Sequence, residues 1–172
     1  MRPLFTSALV GLFLFAATGC DEGPVGPPGN ANVISFNFNF SFEEAVFNGA
    51  VASEQYTMPE ITPSVVDGGA VLVYFRDQST WTALPFTVGV ESSDLAAVDY
   101  TFTLGFGYDD GFLEVFVEAS SDDDVVWDEI LTLLPPDYEM KIVIIDGFFV
   151  GKNSTLDLRD YEAVKAHFGL KE

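Results

Sequence analysis

Val33-Ile34-Ser35-Phe36-Asn37-Phe38-Asn39-Phe40-Ser41-Phe42, residues 33–42, is the stretch that decides the fold. Ile34, Phe36, Phe38, Phe40 and Phe42 alternate with serines and asparagines, a period of two that only an extended strand turns into one apolar and one polar face. The same logic spreads outward. A second β segment spans 45–52, with Asn48-Gly49 as a candidate hairpin turn. Ala70 to Phe75 is apolar without interruption, as expected of a central strand buried on both faces. Trp81 to Val90 follows, with Pro85 marking an edge or a bulge. Tyr100, Phe102, Leu104 and Phe106 alternate up to the turn Asp109-Asp110-Gly111, and Phe112 to Ala119 alternate after it, forming the clearest hairpin. Val125 to Leu134 suits strand or helix, with strand the preferred reading, and Glu139 to Ile145 reads as the last strand.

Near the C-terminus the period changes. Leu158, Tyr161, Val164 and Phe168 fall at helical spacing, with Asp157 as candidate N-cap and Gly169 as the stop, predicting one closing helix of about three turns within 155–170. About eight short strands and one late helix give the expected class: all-β, mainly an antiparallel β-sandwich, with a partly closed barrel as the alternative.

Ahead of this domain the chain has a different character. Arg2 supplies a positive start, Leu4 to Ala17 are largely apolar, and Ala17-Thr18-Gly19 place small residues before Cys20, the features of a cleaved secretory signal. The apolar run stops short of the roughly 20 residues that span a bilayer. Ala17-Thr18-Gly19-Cys20 resembles the lipobox of bacterial lipoproteins, which implies a thioether-linked diacylglycerol on Cys20 as the new N-terminus. The expected organisation is a signal peptide over 1–19, lipidated Cys20 with a Gly/Pro-rich tether over 20–32, and the β domain over 33–172. Gly23-Pro24-Val25, Gly26-Pro27-Pro28 and Gly29-Asn30-Ala31 are consecutive Gly-X-Y triplets, too few to hold a collagen triple helix alone and suited to an extended spacer.

Composition narrows function. Cys20 is the only cysteine, so no intrachain disulfide staples the exported domain, and 17 Phe mark apolar burial as the source of stability. With Arg2 removed, 6 basic side chains face 27 acidic ones, a formal charge of −21. Nucleic acid and anionic lipid surfaces are poor partners on that ground, so no nucleic acid is expected; the expected partners are the membrane, held through the N-terminal lipid, and a protein or glycan. His167 is the sole histidine, which removes His-based triads, His-rich zinc sites and HExxH motifs; near a helix end it suits a capping or packing role. Paired carboxylates could serve glycoside hydrolysis, but 27 candidates carry no specificity. Trp81 and Trp127 could stack on sugars, although a tryptophan in a β core is the commoner case. No cofactor is called for. The sensible cation candidates are Asp109 and Asp110 in one turn and Asp122, Asp123 and Asp124 in another loop, because Ca²⁺ takes six to eight oxygen ligands; neither has EF-hand spacing, and a solvated loop is the plainer reading.

Cys20-Asp21-Glu22-Gly23-Pro24, the triplets to Gly29, the entry Ala31-Asn32-Val33-Ile34 and the ending Asp160-Tyr161-Glu162-Ala163-Val164-Lys165 with Phe168-Gly169-Leu170 resemble the collagen-like lipoproteins of Bacteroidota. Ile61-Thr62-Pro63, Gly69 to Tyr74 and Leu84-Pro85 extend the resemblance to the central strands. It implies an address and a fold, an envelope lipoprotein at the outer membrane, and no reaction; Asp21-Glu22 looks like the acidic stretch that sends some Bacteroidota lipoproteins to the cell surface, whereas in enterobacteria an aspartate there signals inner-membrane retention. The anchor, together with residues that form no catalytic constellation, gives the expected function: a non-enzymatic structural or adhesion domain displayed at the envelope. The alternative is a Ca²⁺- or carbohydrate-binding module.

Overall fold

The computed structural model describes residues 32–91, 99–147 and 155–171. The signal segment, Cys20, the triplets and the Gly151–Ser154 stretch lie outside them. Among these residues nine strands form two antiparallel sheets, so the domain is an all-β sandwich rather than a closed barrel. Sheet A has the order β1-β9-β4-β5, from β1 (Val33–Ser41), β9 (Asp137–Ile145), β4 (Ala70–Asp77) and β5 (Thr80–Ala83). Sheet B has the order β2-β3-β8-β7-β6, from β2 (Val46–Asn48), β3 (Val51–Thr57), β8 (Phe112–Ala119), β7 (Tyr100–Asp109) and β6 (Phe86–Val90). The chain changes sheet between β5 and β6, at Leu84 and Pro85. Pro85 therefore marks the join between two edge strands, where a missing N–H disrupts no ladder.

Period two sorts the side chains as expected. Phe40, Val71, Val73, Phe75, Met140, Ile142 and Ile144 of sheet A meet Ala52, Phe102, Leu104, Leu113, Val115 and Val117 of sheet B in one core. The opposite face of sheet A is covered as well. Tyr74, Val143 and Ile145 pack against Tyr161, Val164 and Phe168 of the closing helix α3 (Tyr161–Phe168). This is why Ala70 to Phe75 of β4 reads as a continuous apolar run, and why β9 ends in one from Ile142 to Ile145: both of their faces are interior.

Three readings need correction. The segment Val125 to Leu134 is not a strand but the body of α2 (Asp124–Leu133). Asp123 caps it by accepting a hydrogen bond from the Val125 N–H at 3.0 Å, and the buried residues Val126, Trp127 and Ile130 recur at helical spacing. Second, Asp157 does not cap α3. It accepts from the Arg159 N–H in the preceding turn, whereas Asp160 accepts from the N–H groups of Glu162 and Ala163, so the helix starts three residues later and makes about two turns. Third, a short helix not expected before β4 joins the closing one: Thr62-Pro63 opens α1 (Pro63–Gly68), where proline is tolerated because the first helical N–H has no partner.

The hairpins form as read. Asn48 faces Val51 across Gly49-Ala50, and Asp109 faces Phe112 across Asp110-Gly111, with φ of 58° at Gly49 and 75° at Gly111.

Two adjacent glycines give a local test. A Cβ on Gly69 would lie 2.5 Å from the Ile145 carbonyl oxygen and 2.8 Å from the Val65 backbone, whereas one on Gly68 meets nothing within 4 Å. Gly69→Ala is expected to cost about 1–3 kcal/mol in chemical denaturation and Gly68→Ala to be neutral or slightly stabilising.

Candidate functional site

The sandwich has two unlike ends. At one, the Asp146 N–H donates to the Asn32 carbonyl, Ser64 Oγ donates to Asp146, and the β7–β8 turn is pinned by Met58 N–H to Gly111 and Gly111 N–H to Ile61. The described chain enters here. The other end, about 27 Å away along the nine residues of β1, is closed by α2. Trp127 Nε1 donates to the Gly49 carbonyl at 3.1 Å, and its ring meets Phe47 edge-on at 5.3 Å.

This arrangement separates the aspartate candidates. Asp109 and Asp110 lie at the entry end, and Asp122, Asp123 and Asp124 at the α2 end, roughly 24 Å apart along β8. Asp109 accepts from the Asp110 N–H and Asp123 caps α2. Among the described residues no group of three His, Cys, Asp or Glu side chains is placed to hold a metal ion.

The α2 end carries a groove instead. Val90 and Glu91 on one wall face Val125, Asp128, Glu129 and Leu133 on the other, around a space of about 320 Å³. A second depression of about 350 Å³ continues it past Asp99 to Tyr100. Helical spacing brings Val125, Asp128, Glu129 and Leu133 to one side of α2, and the β6–β7 pairing of Val90 with Tyr100 sets the opposite wall. Among the described residues, four carboxylates (Glu91, Asp99, Asp128 and Glu129) line the two spaces and no lysine or arginine does. Apolar surface is mixed in: Val125 is 42% exposed and Leu133 57%. Burial pushes the Tyr100 phenol above its ordinary range, and the charge of Glu129 beside it adds to the effect. The groove can accept hydrogen bonds and positive charge over an apolar floor. Sequence reading missed it because α2 was taken as a strand, which puts Asp128 and Glu129 on opposite faces; Val126, Trp127 and Ile130 were the signal for a helix.

The other polar centre is internal. Lys141, in the apolar run of β9, is 5% exposed; its Nζ donates to the Tyr161 hydroxyl at 3.1 Å and lies 4.8 Å from the Trp81 ring centre and 4.9 Å from that of Tyr161. Tyr74, also between sheet A and α3, donates to the Leu158 carbonyl at 2.7 Å. These contacts dock α3, with the ammonium held by ring faces and a hydroxyl. Trp81 and Trp127 thus both pack within the domain. His167 stands against the ring of Phe168 at 4.7 Å, in the last turn of α3.

Asp123→Ala is expected to lower stability by about 1 kcal/mol through loss of the cap, by the same amount with Ca²⁺ present or absent, as read by denaturant unfolding. Alkaline pH acts on the tyrosines. Burial raises Tyr56, Tyr74, Tyr100 and Tyr138, the last from 10.0 to about 12. The folded form keeps protons that the unfolded chain releases first, so stability is unaffected well below pH 10 and falls as pH rises from there through the folded values. In Tyr138→Phe the fall between about pH 10 and 12 is expected to be shallower, measured as denaturation midpoint against pH. Compared with known families, curated proteins and solved structures, the chain matches no family model, no curated protein and no solved structure.

Proposed function

We propose that the protein is an envelope lipoprotein, anchored by lipid on Cys20, whose non-enzymatic β domain is displayed for structural or adhesive interaction. The observation that carries this reading is a polarity. Cys20 follows a signal-like segment and precedes Val33, the first residue of β1, by 13 positions, while the groove beside α2 lies at the far end of the sandwich from Asn32. A tether entering at one end presents the other. Twelve extended residues reach about 40 Å, enough to lift the entry end clear of lipid headgroups. Two or three acyl chains hold such a protein durably, because each buried CH₂ contributes about 0.8 kcal/mol.

Charge supports the same reading. An acidic domain is repelled by anionic headgroups and stands away from them, and the carboxylates and apolar surface of the groove suit a partner bearing basic groups.

Cys20→Ser is expected to move the protein from the detergent-extracted membrane fraction to the soluble fraction or leave it with its signal uncleaved. Mass spectrometry of the parent is expected to show a diacylglyceryl-modified Cys20 at the N-terminus. A parent that retains Met1 and an unmodified thiol refutes the anchor.

A further inference from the structure

Strand β1 is an edge of sheet A, nine residues long, without a charge or a proline. Edge strands normally carry such protection, because unpaired N–H and C=O groups recruit other strands. Here the protection covers only one half. Along β1 the even positions bond to β9, a ladder continued by Phe42 N–H to the Pro136 carbonyl and Asp146 N–H to the Asn32 carbonyl. The odd positions therefore point outward. Tyr56 Oη of sheet B donates to the Asn39 carbonyl at 2.8 Å, and the Ser41 N–H donates to Glu54 Oε2 at 3.2 Å. That clasp closes the second half. Among the described residues nothing comparable bonds the outward groups of Val33, Ser35 and Asn37.

The geometry points to a second copy of this chain as the occupant: β1 pairs antiparallel with β1 of its mate over residues 33–37, about a two-fold axis at Ser35. The register follows from the open groups. Ser35 faces Ser35 of the mate, and Val33 faces Asn37 in each direction, so every outward odd residue is in a hydrogen-bonded pair and about six N–H···O bonds form. The alternation Ile34-Ser35-Phe36 reads the same in both directions, which makes the segment complementary to itself. Ile34, 46% exposed, comes opposite Phe36 of the mate in a non-bonded pair, where Cα atoms approach to about 4.5 Å and side chains touch. In a chain of net charge −20 this is an uncharged edge, so the repulsion that keeps copies apart elsewhere is weakest there. The product is one continuous eight-stranded sheet, with the Tyr56–Glu54 clasp stopping the pairing beyond Asn37. The contact needs no lipid, so it stands or falls separately from the anchor.

The test uses the full chain in a Cys20→Ser background, where an introduced cysteine is the only thiol. Ser35→Cys puts two thiols on the axis, with Cα atoms about 5.5 Å apart and within disulfide reach. Asn37→Cys puts its pair about 14 Å apart, beyond it. Under mild oxidation, a several-fold excess of crosslinked dimer for Ser35→Cys over Asn37→Cys is expected; equal yields overturn the register. Separately, Ser35→Pro deletes an outward N–H and none that faces β9. It is expected to convert the dimer to monomer in sedimentation while leaving the circular-dichroism spectrum of the fold unchanged, and a parent that sediments as a monomer at every concentration overturns the proposal.

Discussion

The burial of the two central strands of sheet A, β4 and β9, on both faces is the constraint on which the rest of the structure depends. β9 lies between β1 and β4, with Met140, Ile142 and Ile144 turned to sheet B and Val143 and Ile145 to α3. A two-layer sandwich would leave the outer face of sheet A wet; α3 makes a third layer and takes Tyr74, Val143 and Ile145 of the central pair out of water. The ion pair of Arg76 with Glu139, at 3.6 Å on a half-exposed rim, contributes little in water. A domain that carries this much negative charge and no intrachain disulfide is held by packing.

The same arrangement explains where polar chemistry sits. Lys141 occupies the outer face of β9 where a hydrophobic residue would be expected, and its charge is accommodated by the rings of Trp81 and Tyr161 and one hydroxyl. Such a group does little for stability by itself but fixes how α3 lies on the sheet, since a displaced Tyr161 would leave the ammonium buried without a partner. The acidic groove is at the opposite extreme: it is formed by exposed side chains of α2 and β6 at the closed end, away from the layer contacts that hold the fold. The groove and the layer contacts therefore draw on different residues, so the α2 end can vary without disturbing the three layers.

Much of the architecture was legible in the residues, because a strand with one wet face writes its environment into alternate positions and a doubly buried strand abolishes the alternation. Phe36 to Phe42 and the Tyr100–Ala119 hairpin announce themselves in the first way, and Ala70 to Phe75 in the second. The misreading of Val125 to Leu134 has a physical cause. Ten residues rich in valine and leucine between an acidic loop and Pro135 suit strand and helix alike, and the decision rests on Asp123, whose cap to Val125 cannot be told from a solvated aspartate without coordinates. The same ambiguity hid the groove, which needs α2 as a helix to bring Asp128 and Glu129 beside Glu91. Asp109, Asp110 and Asp122 to Asp124 were visible as clusters, but their separation to opposite ends follows from the length of β8, a tertiary fact that no local pattern encodes.

The most direct test of the three-layer scaffold is native-state hydrogen exchange of the intact protein, resolved by residue. If the central strands of sheet A are interior on both sides, the amides of Met140 to Ile145 exchange only through global unfolding, with protection equal to the full unfolding free energy and well above that of the edge strands β5 and β6. Exchange of the β9 amides at edge-strand rates, or their release by a local opening of α3, would contradict the account.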